Sequence, residues 1–183
     1  MAEALTFEKV WEMFQETDRR MKETDRRMKE TDRQMKETDR QIGKLGNRFG
    51  ELVEHLVAPS IMEKFNALNF NFENISQNHK IMEKGQFLAE IDILLENGDT
   101  VIAVEVKSKP LQNDVDEHVT RMEILRRRAD IRQDRRKFQG AIAGAIMNEP
   151  VRAYAHKTGF YVIEQTGDTV TINIPEGFTP RQW

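Results

Sequence analysis

Apolar positions near the start of the chain recur every seven residues. Phe7, Phe14, Met21, Met28, Met35, Ile42 and Phe49 hold one position, and Val10, Thr17, Thr24, Thr31, Thr38, Leu45 and Leu52 hold the position three later. Residues 14–41 repeat almost verbatim as FQETDRR, MKETDRR, MKETDRQ, MKETDRQ. A sustained seven-residue repeat predicts a left-handed coiled coil. Threonine through the middle of one seam makes it poorly apolar, so association should draw on other parts of the protein. In a parallel pair Arg20 would meet Asp25 and Arg27 would meet Asp32, whereas antiparallel pairing would set acid against acid, so parallel self-association is expected. Within one helix, Glu16–Arg20 and Glu23–Arg27 stand at the favourable i, i+4 spacing.

Beyond the repeat the periodicity changes. Gly43, Gly46 and Gly50 suggest a hinge or a close backbone approach, and residues 47–66 continue as a helix, bent at Pro59, that opens a globular domain. LNFNFENIS, residues 68–76, alternates as a strand would. Residues 89–109, AEIDILLENGDTVIAVEVKSK, form two alternating runs joined at Asn97-Gly98, a strong hairpin signal. A helix over 113–136 follows Pro110, with Asn113 or Asp114 at its start. FQGAIAGAIM, residues 138–147, suits a buried strand, 150–158 a short helix, and 160–164 with 169–174 a second hairpin around Gly167-Asp168. Strands alternating with helices predict an α/β fold, a mixed sheet flanked by helices. The expected division is a coiled-coil helix over 1–46 and one α/β domain over 47–183.

The hairpin also carries the chemistry. With Asn97-Gly98 as the two turn residues, Asp92 would lie opposite Ala103 and Glu90 opposite Glu105. Alternation then places Asp92, Glu105 and Lys107 on one face with Glu90 beside them, and Ile91, Ile93, Ile102, Val104 and Val106 on the other. Asp92 and Glu105 become diagonal neighbours about 7–8 Å apart, close enough to converge on one cation. Carboxylates facing each other across strands repel, and a divalent ion relieves the repulsion, hard oxygen donors suiting Mg²⁺ or Mn²⁺. Lys107 can orient a water or offset developing negative charge. The plainer alternative is a solvated sheet face of mixed charge.

Composition narrows this picture. The chain of 183 residues has no cysteine, which excludes disulfides and thiolate metal sites and suits a reducing, cytoplasmic setting. Its four histidines, His55, His79, His118 and His156, form no ligand pair at helical spacing and read as ordinary polar residues. MAEALTFEKV lacks the basic start and apolar core of a signal peptide, and no run approaches the ~18–20 apolar residues of a membrane span, so neither is expected. The net charge is −3, so affinity for nucleic acid must come from a local patch. The helix over 113–136 is the candidate: Arg121, Arg126, Arg127, Arg128, Arg132, Arg135, Arg136 and Lys137 face only Glu123, Asp130 and Asp134. It is either a phosphate-binding surface or a solvated face with intrahelical pairs.

Asp92, twelve residues, then Glu105-Val106-Lys107 resembles the D…E-x-K core of the PD-(D/E)XK nuclease superfamily. EIDILLENGDTVIAVEVKSK is especially similar to archaeal Holliday junction resolvases and restriction-endonuclease-like proteins. The resemblance extends over residues 47 to about 174 in element order. It implies metal-dependent hydrolysis of phosphodiesters, with DNA the favoured partner. Asp92, Glu105 and the Val106 carbonyl would bind Mg²⁺ or Mn²⁺, and Lys107 would position water or stabilise the pentacovalent phosphate. Glu51, with Glu54 as the alternative, would supply the glutamate that the family's first helix often adds. Ile91 stands where the motif's proline would be. The competing expectation is a binding or scaffold protein that keeps such a fold without turnover.

Overall fold

The structure is a computed structural model that describes residues 6–183 apart from 168; within the helix, the side chains of 42–56 lie outside the described residues. The chain forms two compact units, Met1–Arg48 and Phe49–Trp183. Helix α1 is Phe7–Ala67, and each unit is taken by itself.

In the first unit the expected helix is present, and its threonine hydroxyls are satisfied within it. The hydroxyls of Thr17, Thr24 and Thr31 donate to the carbonyls of Met13, Arg20 and Arg27 at 2.7, 2.8 and 2.9 Å, so they are satisfied without a partner chain. Glu16–Arg20 and Glu23–Arg27 close at 2.8 and 2.6 Å, and Asp18–Lys22 adds a third pair at 2.7 Å. Such exposed pairs add little stability each and are screened by salt. Phe14, Met21, Met28 and Met35 stay 59–68% exposed, an apolar stripe that the single chain leaves open to solvent.

The second unit is built on a mixed sheet. Among the described residues it has six strands in the order β1 (Asn74–Glu83), β2 (Gln86–Glu96), β3 (Thr100–Lys107), β4 (Lys137–Gly144), β5 (Tyr161–Thr166) and β6 (Thr169–Asn173). The β3–β4 and β4–β5 pairs are parallel; the outer pairs are antiparallel hairpins. The two parallel steps are made by the crossover helices α2 (Gln112–Ile131) and α3 (Glu149–Thr158). One face of the sheet packs on α2 and α3 through Val115, Met122, Leu125, Val151 and Ala155. The other packs on the end of α1 through Ala58, Ile61 and Phe65, all fully buried. The central strand β3 is therefore covered on both sides.

Four local features differ from expectation. Residues 68–73 do not form the first strand. Asn69 and Asn71 take left-handed backbone, φ 66° and 56°, which breaks extension and leaves Phe70 and Phe72 stacked beside Phe65. Asn66 holds this corner, accepting from Phe72 N at 2.6 Å and donating to Phe72 O at 3.1 Å. The strand begins at Asn74 and turns into β2 at Lys84-Gly85, whose φ values of 47° and 82° suit a tight hairpin.

The β2–β3 turn is shifted by one residue in each strand. Glu96 pairs with Val101, Leu94 with Ala103 and Ile93 with Val104. Asn97 N donates to Thr100 O, so the turn residues are Gly98 and Asp99, not Asn97 and Gly98. The reason is the Asn97 side chain. Its Oδ1 accepts from Asp99 N and Thr100 N at 2.9 and 2.7 Å, and its Nδ2 donates to Phe70 O.

Ile91 also leaves the face assigned to it. The β1–β2 ladder skips Asn78 and Asp92, and Asn78 sits at φ 50°. Alternation changes phase there, so Ile91 joins the α2 side together with Leu94, while Ile93 and Leu95 face α1. Helix α2 is shorter than expected, stopping at Ile131 before a turn in which Gln133 takes φ 58°. The tail is anchored: Trp183 N donates to Phe138 O, and its ring stacks on Phe160 at 5.1 Å.

Phe160 in turn lies against Gly140, where a Cβ would fall inside the ring's van der Waals surface. Gly140→Ala should therefore lower stability by about 1–3 kcal/mol, read as a fall in Tm. Gly98→Ala should be nearly silent, because its position is open and its φ is not positive. Asn97→Ala should cost about 1–2 kcal/mol. A large loss at Gly98 with none at Asn97 would restore the turn first expected.

Candidate active site

Glu105 is the centre of the site. It lies in the middle strand under α2, only 1% exposed. A carboxylate so buried demands partners, and both its oxygens have them. Oε1 takes Lys107 Nζ at 2.8 Å; Oε2 takes the Arg121 guanidinium. Lys107 shares the face of Glu105 because it is two residues along the same strand. Arg121 reaches down from α2.

Asp92 closes the site from β2. The β2–β3 ladder ends at Ile93–Val104, one pair short of Asp92 and Glu105. Beyond it the Asp92 carboxylate takes over. Its Oδ2 accepts the Val106 amide at 2.7 Å. Burial, then the charge of Glu105, pushes Asp92 up to about 6, with the Val106 amide, Lys107 and Arg121 pulling the other way. Burial would raise Glu105 as well, but hydrogen bonds from Lys107 and Arg121 outweigh it and hold that carboxyl below its ordinary value. Burial works against the charge of Lys107 too, yet its bond to Glu105 wins and keeps the ammonium protonated beyond its usual range.

His118 is not the ordinary polar residue that its place in the sequence suggests. It is fully buried, with Nε2 3.0 Å from Ala103 O and Nδ1 3.9 Å from Glu105 Oε2. Nδ1 has no hydrogen-bond partner among the described residues. Burial pushes the imidazole down to about 4, against the pull of Glu105. The signal for it existed: Val115, His118, Met122, Leu125 and Ala129 are the buried stripe of α2, and His118 is its one polar member. A polar residue at a core position of a helical repeat marks something beneath it. Arg121 was grouped with the basic helix, but its spacing of three from His118 puts it over the same end of β3.

Other expected residues fall elsewhere. Glu90 is drawn to Lys80 across the β1–β2 ladder, Nζ–Oε2 4.0 Å, away from Glu105. Glu51 and Glu54 lie outside the described residues. The basic helix does not present one surface. Arg126 donates to the carbonyls of Asp134 and Arg136 and sits 4.6 Å over the Phe138 ring. Arg128 pairs with Glu83 at 3.0 Å, and Arg136 with Asp134 and Glu96 at 2.7 and 3.0 Å. Arg127, Arg132 and Arg135 are exposed, with no ion pair among the described residues.

The donor set suits a hard divalent cation. Asp92 and Glu105 bring two carboxylates close enough for their charges to interact, and the unpartnered Nδ1 of His118 stands 3.9 Å from Glu105 Oε2. Among the described residues no group of three or more His, Cys, Asp or Glu side chains is placed to hold a metal ion, so the site offers two carboxylates and backbone carbonyls at most.

The chain matches, over residues 8–86, the model of a family described as a protein of unknown function, DUF3782. That span ends before Asp92. No curated protein matches the chain. Two solved structures overlap it in part. One is a complex of EndoMS with double-stranded DNA, 14% identical, with a TM-score of 0.36, 56% of this chain and 43% of that chain covered. The other is the small subunit of the heterodimeric restriction endonuclease R.BspD6I, 18% identical, with a TM-score of 0.31, 59% of this chain and 63% of that chain covered. The match thus spans less than two thirds of either structure. Overlaps so partial say nothing of chemistry. Among the described residues no helix is long and apolar enough to cross a membrane.

The titration of His118 follows from its burial. A lowered folded-state value means that the native ring stays neutral as pH falls, while an unfolded one charges near 6.5. The ¹³C shifts of His118 should be flat from pH 8 to pH 5, while the native state loses stability on this account as pH falls below about 6.5, the loss levelling off near pH 4, where the native ring also takes up its proton. A midpoint near 6.5 would show the ring to be solvated.

Proposed function

We propose that the second unit hydrolyses phosphodiester bonds of nucleic acid, DNA in the first instance, with Mg²⁺ or Mn²⁺ as cofactor. The observation that carries this is the pairing of a buried carboxylate, Glu105, and a half-buried one, Asp92, with the Lys107 ammonium 2.8 Å from the first. Burial makes both acids costly to ionise; Lys107 and Arg121 offset that cost at Glu105, whereas Asp92 has no ion pair among the described residues. Asp92, Glu105 and the Val106 carbonyl would hold the ion. When bound, it would act as a Lewis acid toward a phosphoryl oxygen and lower the pKa of water.

The chain's own residues supply the rest. Lys107 remains protonated and 38% exposed. Its Nζ is therefore available to an incoming oxygen anion and can stabilise the extra negative charge that builds on the phosphate. The Val106 amide fixes the Asp92 carboxylate, so one of its oxygens stays pointed into the site. His118, neutral and hydrogen-bonded to Ala103 O, holds the floor beneath Glu105. In this proposal the heptad helix associates in parallel and brings two such sites together, as cutting both strands or a branched junction would need. Its exposed Phe14, Met21, Met28 and Met35 support the association.

A second reading has its own observation. Lys107 and Arg121 already neutralise Glu105, so the cluster is self-satisfied as a structural ion network. A scaffold protein would need no more. Plasmid and branched DNA with Mn²⁺ separate the two. Cleavage by the wild type should fall by at least a hundredfold in Asp92→Ala and in Lys107→Ala, with circular dichroism unchanged. Equal cleavage by all three would remove the hydrolase reading. Deletion of residues 1–42 should lower the mass seen by light scattering; an unchanged mass would refute the coiled coil.

A further inference from the structure

Arg121 holds the same carboxylate that a cation would need. Its guanidinium sits on Glu105 Oε2, the oxygen that also faces the unpartnered Nδ1 of buried His118 at 3.9 Å. Arg121 also has somewhere else to go. Its Nη2 lies 3.8 Å from Glu117 Oε2, one helical turn back at the i−4 position. Glu117 is 54% exposed and Arg121 25%, so the second partner is at the surface and the first is in the core. Lys107 differs. It is bound to its place two residues along β3, and its ion pair among the described residues is with Glu105 alone.

We propose that Arg121 is a built-in counter-cation, which neutralises Glu105 in the metal-free protein and moves to Glu117 when a divalent ion takes the site. The inference rests on the metal-binding reading above. A buried carboxylate that must stay charged needs a positive partner at all times. A guanidinium on an exposed helix supplies one without filling the site permanently. The exchange sets a threshold: the ion has to displace an arginine before it can bind, so affinity is lower than the donor set alone would give. Glu117 offsets part of this by receiving the displaced side chain.

The test is Mn²⁺ binding to the full chain by calorimetry at pH 7.5, a measurement that needs no nucleic acid and no turnover. Arg121→Gln should tighten the Kd at least tenfold, the opposite of what damage to a site produces. Glu117→Gln should weaken it about two- to fivefold in the wild-type background, the range of an exposed pair. In the Arg121→Gln background it should change nothing, because there is no guanidinium left to receive. A simple through-space effect of the Glu117 charge would persist in both backgrounds and would overturn the proposal. So would an Arg121→Gln protein that binds Mn²⁺ no tighter than wild type. If Arg121→Gln does not fold, Arg121→Met, which also carries no charge, replaces it in both arms with the same expected signs. Mn²⁺ binding that is present in wild type and lost in Asp92→Asn establishes the metal centre independently of Arg121. Absence of binding in every protein would sink the metal centre and this inference together.

Discussion

A carboxylate at the centre of a sheet is the constraint around which this domain is arranged. Glu105 is on the middle strand, covered by α2 on one side and by the strands paired to it on both flanks. Left alone there, its charge would destabilise the fold by several kcal/mol. Everything that touches it answers that problem. Lys107 comes from the same strand, Arg121 from the helix above, and the ladder gives way at Asp92 so that a second carboxylate binds the Val106 amide. The result is a pair of acids whose ionisations are pushed in opposite directions. Asp92 lacks a direct cation and rises, while Glu105 is flanked by two and falls.

The support under this pair is apolar and tight. His118 reaches Ala103 O because the Phe160 ring lies beside it, 4.9 Å away, and that ring fits because residue 140 has no side chain. Trp183 stacks on the far side of the same ring. A contact near the chain's end is thus tied, through two aromatic groups, to the imidazole beneath Glu105. Rigid packing of this kind is what allows a polar cluster to keep one geometry. The heptad helix follows different rules. Among the described residues its apolar positions stay exposed, its charges pair along the helix, and its threonine hydroxyls bond back to their own helix.

Local physics explains why some elements were legible. The seven-residue repeat, the buried apolar strand β4, the crossover helix α3 and the final hairpin all declare themselves by spacing or by turn residues, and each is present within a few residues of its expected place. Errors arose where a side chain overruled a backbone preference. Asn-Gly favours a two-residue turn at those positions, but the Asn97 carboxamide bonds forward to two amides and back to Phe70, which moves the turn by one residue. Alternating LNFNF suggests a strand, but Asn69 and Asn71 enter left-handed backbone and Asn66 clamps the corner.

The site divides along the same line. That Asp92, Glu105 and Lys107 stand close together followed from two strands and a turn, since alternation survives a register shift that moves the pairing by two in total. Nothing in residue order indicated how deep Glu105 lies, nor that an arginine and a neutral histidine from α2 would meet it. Sixteen residues separate Glu105 from Arg121, and a parallel crossover folds that interval back over the strand. The basic helix shows the reverse. Its arginines looked like one surface, yet Arg126, Arg128 and Arg136 turn inward to carbonyls and acids of other segments. Spacing along a chain determines which residues share a strand or a helix face. Which charges are buried, and with what partners, depends on how distant elements pack, because desolvation is a property of the whole neighbourhood and not of any stretch of sequence.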